Sequence, residues 1–188
     1  MFPLFNSSGV LPPYIGSNPG VVGACSPYKT DLITIASKLA TSAERVDILL
    51  GFLDYRSELR KVGISVGFQL LDGSFTENCE VSRGRPPKDL DLVTFAYLPV
   101  SPLEIQKFLD DHRHLFDHDL VKSKYKCDAF FVDLSKDSRL IVDETIYWSG
   151  LFSHQRDTFL WKGMLQVSLN ADNDYKVIEM LNGGVKSD

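Results

Sequence analysis

Apolar and polar positions along the chain fall into blocks of two kinds. From Thr30 to Gly63 the apolar residues recur at the three- and four-residue spacing of a helix. Val46, Leu49, Leu50, Leu53 and Leu59 lie roughly on one stripe. Thr41 and Glu44 fit a capping box inside this block, which predicts one helix ending near Leu39 and a second beginning near Ser42. Gly63 suits its stop. Short apolar runs follow at Ile64–Leu71 and Asp89–Leu98 and read as strands. Ser101-Pro102-Leu103-Glu104 combines a cap, a proline at the first helical position and a glutamate three residues after the cap, so a helix is expected to about Phe116. Lys124–Leu134 and Trp161–Leu169 read as further strands. Arg139–His154 and Asn173–Leu181 read as helices, the last closed by Gly183-Gly184. Alternating helices and strands define the α/β class with a largely buried sheet. Residues 1–28, rich in Pro, Gly and Ser, read as an extended N-terminal arm, leaving 29–188 as a single domain.

Composition narrows the function classes. The 188 residues are 44% hydrophobic and 24% charged, ordinary for a globular chain. A net charge of −5 argues against a whole-surface polyanion binder. Two local basic clusters remain, Arg83, Arg85 and Lys88, and Lys122, Lys124 and Lys126. Cys25, Cys79 and Cys127 match no zinc or CxxC spacing and read as free thiols in a reducing compartment. The N-terminus carries neither a cationic segment nor a continuous apolar core, and no apolar run reaches membrane-spanning length. The expectation is a cytoplasmic protein with no membrane partner.

Chemistry concentrates around "RPPKDLDLVTF", Arg85–Phe95. Aspartate is a poor strand former, yet Asp89 and Asp91 open an apolar strand. Alternation puts both on one face, with Leu90 and Leu92 on the other. Two carboxylates about 7 Å apart, two strand rises, repel each other and need a compensating charge. A divalent cation supplies it; a solvated strand end with Lys88 as counter-ion is the plainer alternative. Gly73-Ser74, directly after the preceding strand, allows a tight turn and close approach to a phosphate, although such pairs are also common turn residues. Asp128, in the apolar run "KCDAFFV", can complete a three-carboxylate cluster if its strand lies beside that of Asp89. It can equally be a hydrogen-bonded buried acid. Asp133 has the opposite parity, so the two cannot face one site.

Taken together, "LLDGSF", "KDLDLV" and "KCDAFFV" resemble the pattern of the nucleotidyltransferase superfamily that includes DNA polymerase beta. "GVLPPYIG", "GSF" followed by "PKDLDLV", and "YWSGLFSHQR" with "WKGMLQVSL" are similar to a minimal nucleotidyltransferase-like bacterial family of mostly unknown function. The resemblance implies a short mixed sheet of about four to five strands flanked by helices. It also implies transfer of a nucleoside monophosphate from an NTP to an acceptor hydroxyl. Gly73 and Ser74 would hold the triphosphate. Asp89, Asp91 and Asp128 would be the catalytic and Mg²⁺- or Mn²⁺-binding residues. The acceptor would be RNA, a protein or a small molecule, with a partner protein supplying recognition, in a toxin–antitoxin or phage-defence setting. A non-catalytic nucleotide-binding or antitoxin-like module of the same fold is the alternative. The chain departs from the superfamily pattern in the long Phe75–Lys88 segment and in Asp72, where an apolar residue is usual.

Other residues carry weaker signals. Lys162, beside Gly163 and with Arg156 nearby, could reach a phosphate and is carried as a nucleotide-binding candidate; a surface lysine at a strand start is the alternative. His114 and His118 have a zinc-compatible i,i+4 spacing without completing ligands, and are read as the solvated end of a helix. Trp148, Phe152, Phe159 and Trp161 read as core, and His154 as a loop histidine. No Walker loop, dinucleotide fingerprint, nucleophile elbow or kinase catalytic loop is present.

Overall fold

The computed structural model describes residues 2–21, 23–170 and 172–183. Strands β1 (Tyr28–Lys29), β2 (Gly67–Asp72), β3 (Leu90–Ala96), β4 (Cys127–Asp133) and β5 (Leu165–Ser168) form one sheet in the order β1-β5-β2-β3-β4. The outer pairs β1–β5 and β3–β4 are parallel, while β2 runs antiparallel to both β3 and β5. The fold is a mixed five-stranded sheet flanked by helices, in the expected α/β class. No helix among the described residues is long and apolar enough to cross a membrane.

Strand alternation divides the core in two. Leu71, Leu90, Leu92, Cys127, Ala129, Leu165 and Val167 face helices α1 (Leu32–Leu39), α2 (Ala43–Lys61) and α8 (Asp174–Gly183), whose Ile35, Phe52 and Val177 fill the larger cluster. Leu70, Val93, Phe95 and Val132 pack on the other face against Trp148 and Phe152 of α7 (Ser138–Phe152). The helices in between are α3 (Cys79–Arg83), α4 (Ile105–Asp111), α5 (Arg113–Phe116) and α6 (His118–Tyr125).

Several local expectations are corrected. Ser42, not Thr41, caps α2, its hydroxyl accepting from the Arg45 N–H. Serine is the better cap of the two hydroxyls. The capping box at Ser101 and Glu104 forms, but the helix after it breaks at His112, before Phe116. Lys124 and Tyr125 belong to α6, which ends in the left-handed residue Lys126, so β4 starts only at Cys127. Residues 118–125 form a helix capped by Asp117, whose side chain accepts from the Leu120 N–H. The terminal helix includes Gly183; Gly184 lies outside the described residues.

The N-terminal arm is laid onto the body. Phe2, Val10 and Leu11 are buried, the Gly163 N–H donates to the Leu11 carbonyl, and the Asn78 N–H donates to that of Gly9. Gly51 of α2 is the contact point for α6: a Cβ there would stand 2.2 Å from the Tyr125 carbonyl oxygen.

Candidate active site

Register creates the site. Asp72 pairs with Asp91 across β2 and β3, and Asp91 pairs with Asp128 across β3 and β4. Paired residues share a face, so three carboxylates stand in a row across three adjacent strands. Asp89, one residue before β3, joins them on that face by the parity of the chain. The three acids read from the sequence are therefore brought together, and Asp72, read only as a departure, is a fourth. Asp133 lies on the opposite face and accepts from the N–H and hydroxyl of Ser135 in the turn leaving β4.

The charges are distributed unevenly. Burial pushes the Asp91 carboxyl up to about 6, and the negative charges of Asp89 and Asp128 push in the same direction. No cation is within ion-pairing distance of Asp91 among the described residues. Lys122 of α6 supplies the counter-charge elsewhere: its Nζ lies 2.8 Å from Asp89 Oδ2 and 3.0 Å from Asp128 Oδ2. Those two contacts raise the lysine's pKa, against a smaller opposing effect of burial. His118 Nδ1 stands 2.9 Å from Asp128 Oδ1, but off hydrogen-bond geometry, leaving both atoms buried without a hydrogen bond.

Gly73 and Ser74 stand beside the row. Gly73 has φ +76°, and a Cβ at this position would lie 1.7 Å from Asp91 Oδ2. Glycine is needed both for the left-handed backbone and for the close approach. Ser74 opens a short 3₁₀ turn, Ser74–Thr76, and its hydroxyl makes no hydrogen bond within the described residues.

Lys162 sits beneath this turn and is only 2% exposed. Its Nζ lies 2.9 Å from Glu77 Oε1 and 3.1 Å from Asp72 Oδ1, and donates at 3.4 Å to the Gly73 carbonyl. It therefore holds the turn from below and does not open onto the sheet face. Burial alone pulls this ammonium down, but the charges of Asp72 and Glu77 outweigh that and keep it protonated. Burial pushes Asp72 up to about 7, with Lys162 opposing. Glu77 also accepts from Arg83 and Gln155. Arg45 of α2, 2% exposed, clasps Glu80 with two nitrogens and donates to the carbonyls of Phe75 and Glu77. The long segment after Gly-Ser is thus braced on both sides.

Other sequence candidates separate. His114 and His118 belong to different helices, which removes the i,i+4 zinc geometry. Trp148 and Phe152 are core as expected, but Phe159 is 80% and Trp161 49% exposed. Of the basic clusters, Lys122 enters the site, Lys126 pairs with Asp47, and Arg83 with Glu77. Arg85, Lys88 and Lys126 line a cleft of about 330 Å³ beside Asp89, with Pro86, Pro87 and Ile48. A second cleft of about 510 Å³ lies between Arg83 and Thr158. Neither is lined by the carboxylates, which sit on the sheet face itself.

Asp72, Glu77, His118 and Lys122 were not read from the sequence as site residues. Asp72 was visible as an acid ending an apolar strand. Lys122 and His118 depended on recognising α6.

The carboxylate row suits a hard divalent cation in kind, since its donors are all anionic oxygens. The unbonded Asp128 Oδ1 and the unneutralised Asp91 fit the same ligand. Among the described residues no three His, Cys, Asp or Glu groups converge closely enough to share one ion; an ammonium bridges two of the acids instead.

Fold and site define a mixed α/β domain with a carboxylate row beside a Gly-Ser turn. The chain belongs to a family of unknown function, DUF6932, which matches residues 3–168. Nothing among curated proteins or solved structures matches it.

Proposed function

We propose that this protein is a metal-dependent nucleotidyltransferase that moves a nucleoside monophosphate from an NTP to an acceptor hydroxyl. The observation carrying this reading is the register that sets Asp91 between Asp72 and Asp128, with Gly73 directly against Asp91. Ser74 offers an unbonded hydroxyl to the triphosphate, and Gly73 lets its phosphates approach the backbone. Lys162 keeps that turn in place from below. Asp89, Asp91 and Asp128 would hold Mg²⁺ or Mn²⁺, which would supply charge neutralisation for the phosphoryl transfer. Asp128 takes the acceptor's proton.

The acceptor class is RNA, a protein side chain or a small molecule, with a partner protein contributing recognition in a toxin–antitoxin or phage-defence system. The cytoplasm suits it: NTPs are abundant there and Cys25, Cys79 and Cys127 are free thiols.

One observation favours a second reading, a non-catalytic nucleotide-binding or antitoxin-like module. Lys122 already neutralises Asp89 and Asp128. Incubation with α-labelled NTPs, Mg²⁺ or Mn²⁺ and cell extract separates the two. The enzyme labels a macromolecule or small acceptor, and Asp89→Asn/Asp91→Asn does not. No transfer, or transfer unchanged in the double variant, overturns the enzyme. Calorimetry with NTP and Mg²⁺ then decides whether a binding module remains.

A further inference from the structure

The two lysines at the carboxylate row differ in one respect that bears on metal entry. Lys162 is 2% exposed and braced by Asp72, Glu77 and a carbonyl, so it cannot leave without opening the turn. Lys122 is 42% exposed and reaches in from the surface of α6. Among the described residues its ammonium has only Asp89 Oδ2 and Asp128 Oδ2 as polar partners. An ammonium and a divalent cation make the same demand on these oxygens, and both cannot hold them at once. The groups facing the ammonium are Asp89, Asp128 and, beyond them, Asp91 and His118. With 42% of its side chain exposed, Lys122 can turn out to solvent without opening the core.

We propose that Lys122 is a displaceable internal counter-ion, holding Asp89 and Asp128 together in the metal-free protein and yielding them when a divalent cation binds. This rests on the metal reading of the site and adds the step that opens it. The surface position of Lys122 makes the exchange a side-chain movement rather than a refolding event. Metal affinity is therefore set by competition with this ammonium as well as by the carboxylates.

The test is Mn²⁺ binding to the full chain, followed by the loss of the free-ion paramagnetic resonance signal and by calorimetry. Lys122→Met removes the competitor and is expected to bind Mn²⁺ about fivefold tighter or more, the scale of a partly exposed ion pair. Lys122→Arg keeps the charge and presents a planar fork that can pair with both carboxylates, and is expected to bind more weakly than the wild type. Should Lys122→Met fail to fold, the arginine variant decides alone: equal or tighter binding than wild type overturns the proposal. Wild-type binding that Lys122→Met leaves unchanged or weakens overturns the counter-ion role and leaves the metal site standing. No Mn²⁺ binding to any of the three proteins overturns both.

Discussion

Oδ2 of Asp91 lies so close to Gly73 that a Cβ there would stand 1.7 Å from it. The carboxylate at the centre of the row and the turn that follows β2 therefore cannot change independently. Gly73→Ala must both strain a backbone at φ +76° and push Asp91 aside. The expected loss is about 2 kcal/mol in urea unfolding, with label transfer abolished. A variant of wild-type stability and activity contradicts the close approach.

Asp91 gives a pH signature, best measured in chelator. Its folded pKa, about 6, lies above the ordinary 3.8 through burial and the charges of Asp89 and Asp128. Between those values the folded chain holds a proton that the unfolded chain has released. Stability therefore falls as pH rises from about 4 to about 6, and the full cost is present above that range. Asp91→Asn is expected to be more stable than wild type at pH 7.5, on the order of 2 kcal/mol, with the gain vanishing near pH 4. Melting curves at both pH values check it; a gain that grows on acidification reverses the sign.

Lys162→Met leaves Asp72 and Glu77 buried without their shared ammonium. Removing one partner of a buried ion pair costs about 3 kcal/mol or more. Adding Asp72→Asn to this variant should restore part of the loss, and denaturant titration of the single and double variants measures the coupling.

Gly51→Ala puts a methyl 2.2 Å from the Tyr125 carbonyl oxygen. The α2–α6 contact must open, at about 1–3 kcal/mol. Because α6 carries Lys122 and His118, faster amide exchange across residues 118–125 should accompany the loss. Unchanged exchange would detach the helix contact from the site.

The face shared by Asp89 and Asp91 was legible in the sequence because strand alternation is a local rule that two residues of separation satisfy by themselves. The same parity separated Asp128 from Asp133, and the structure gives Asp133 a turn-capping role. The helix at 118–125 was not legible. Its mostly polar residues bury only Val121 and Tyr125, so its periodicity is weak and its cap, Asp117, looks like one more acid in an acidic stretch. Missing α6 hid Lys122 and His118 from the site.

By itself the sequence determined the α/β class, the strand faces, the Gly-Ser turn and the candidate acids, because each is encoded within a few residues. Tertiary structure alone decided that Asp72, Asp91 and Asp128 align in one row, since cross-strand register depends on segments distant along the chain. It also decided the counter-charges: Lys162 is locked under the turn, while Lys122 arrives from a neighbouring helix. Which charge neutralises which depends on separation in space and on burial, and neither is written in residue order.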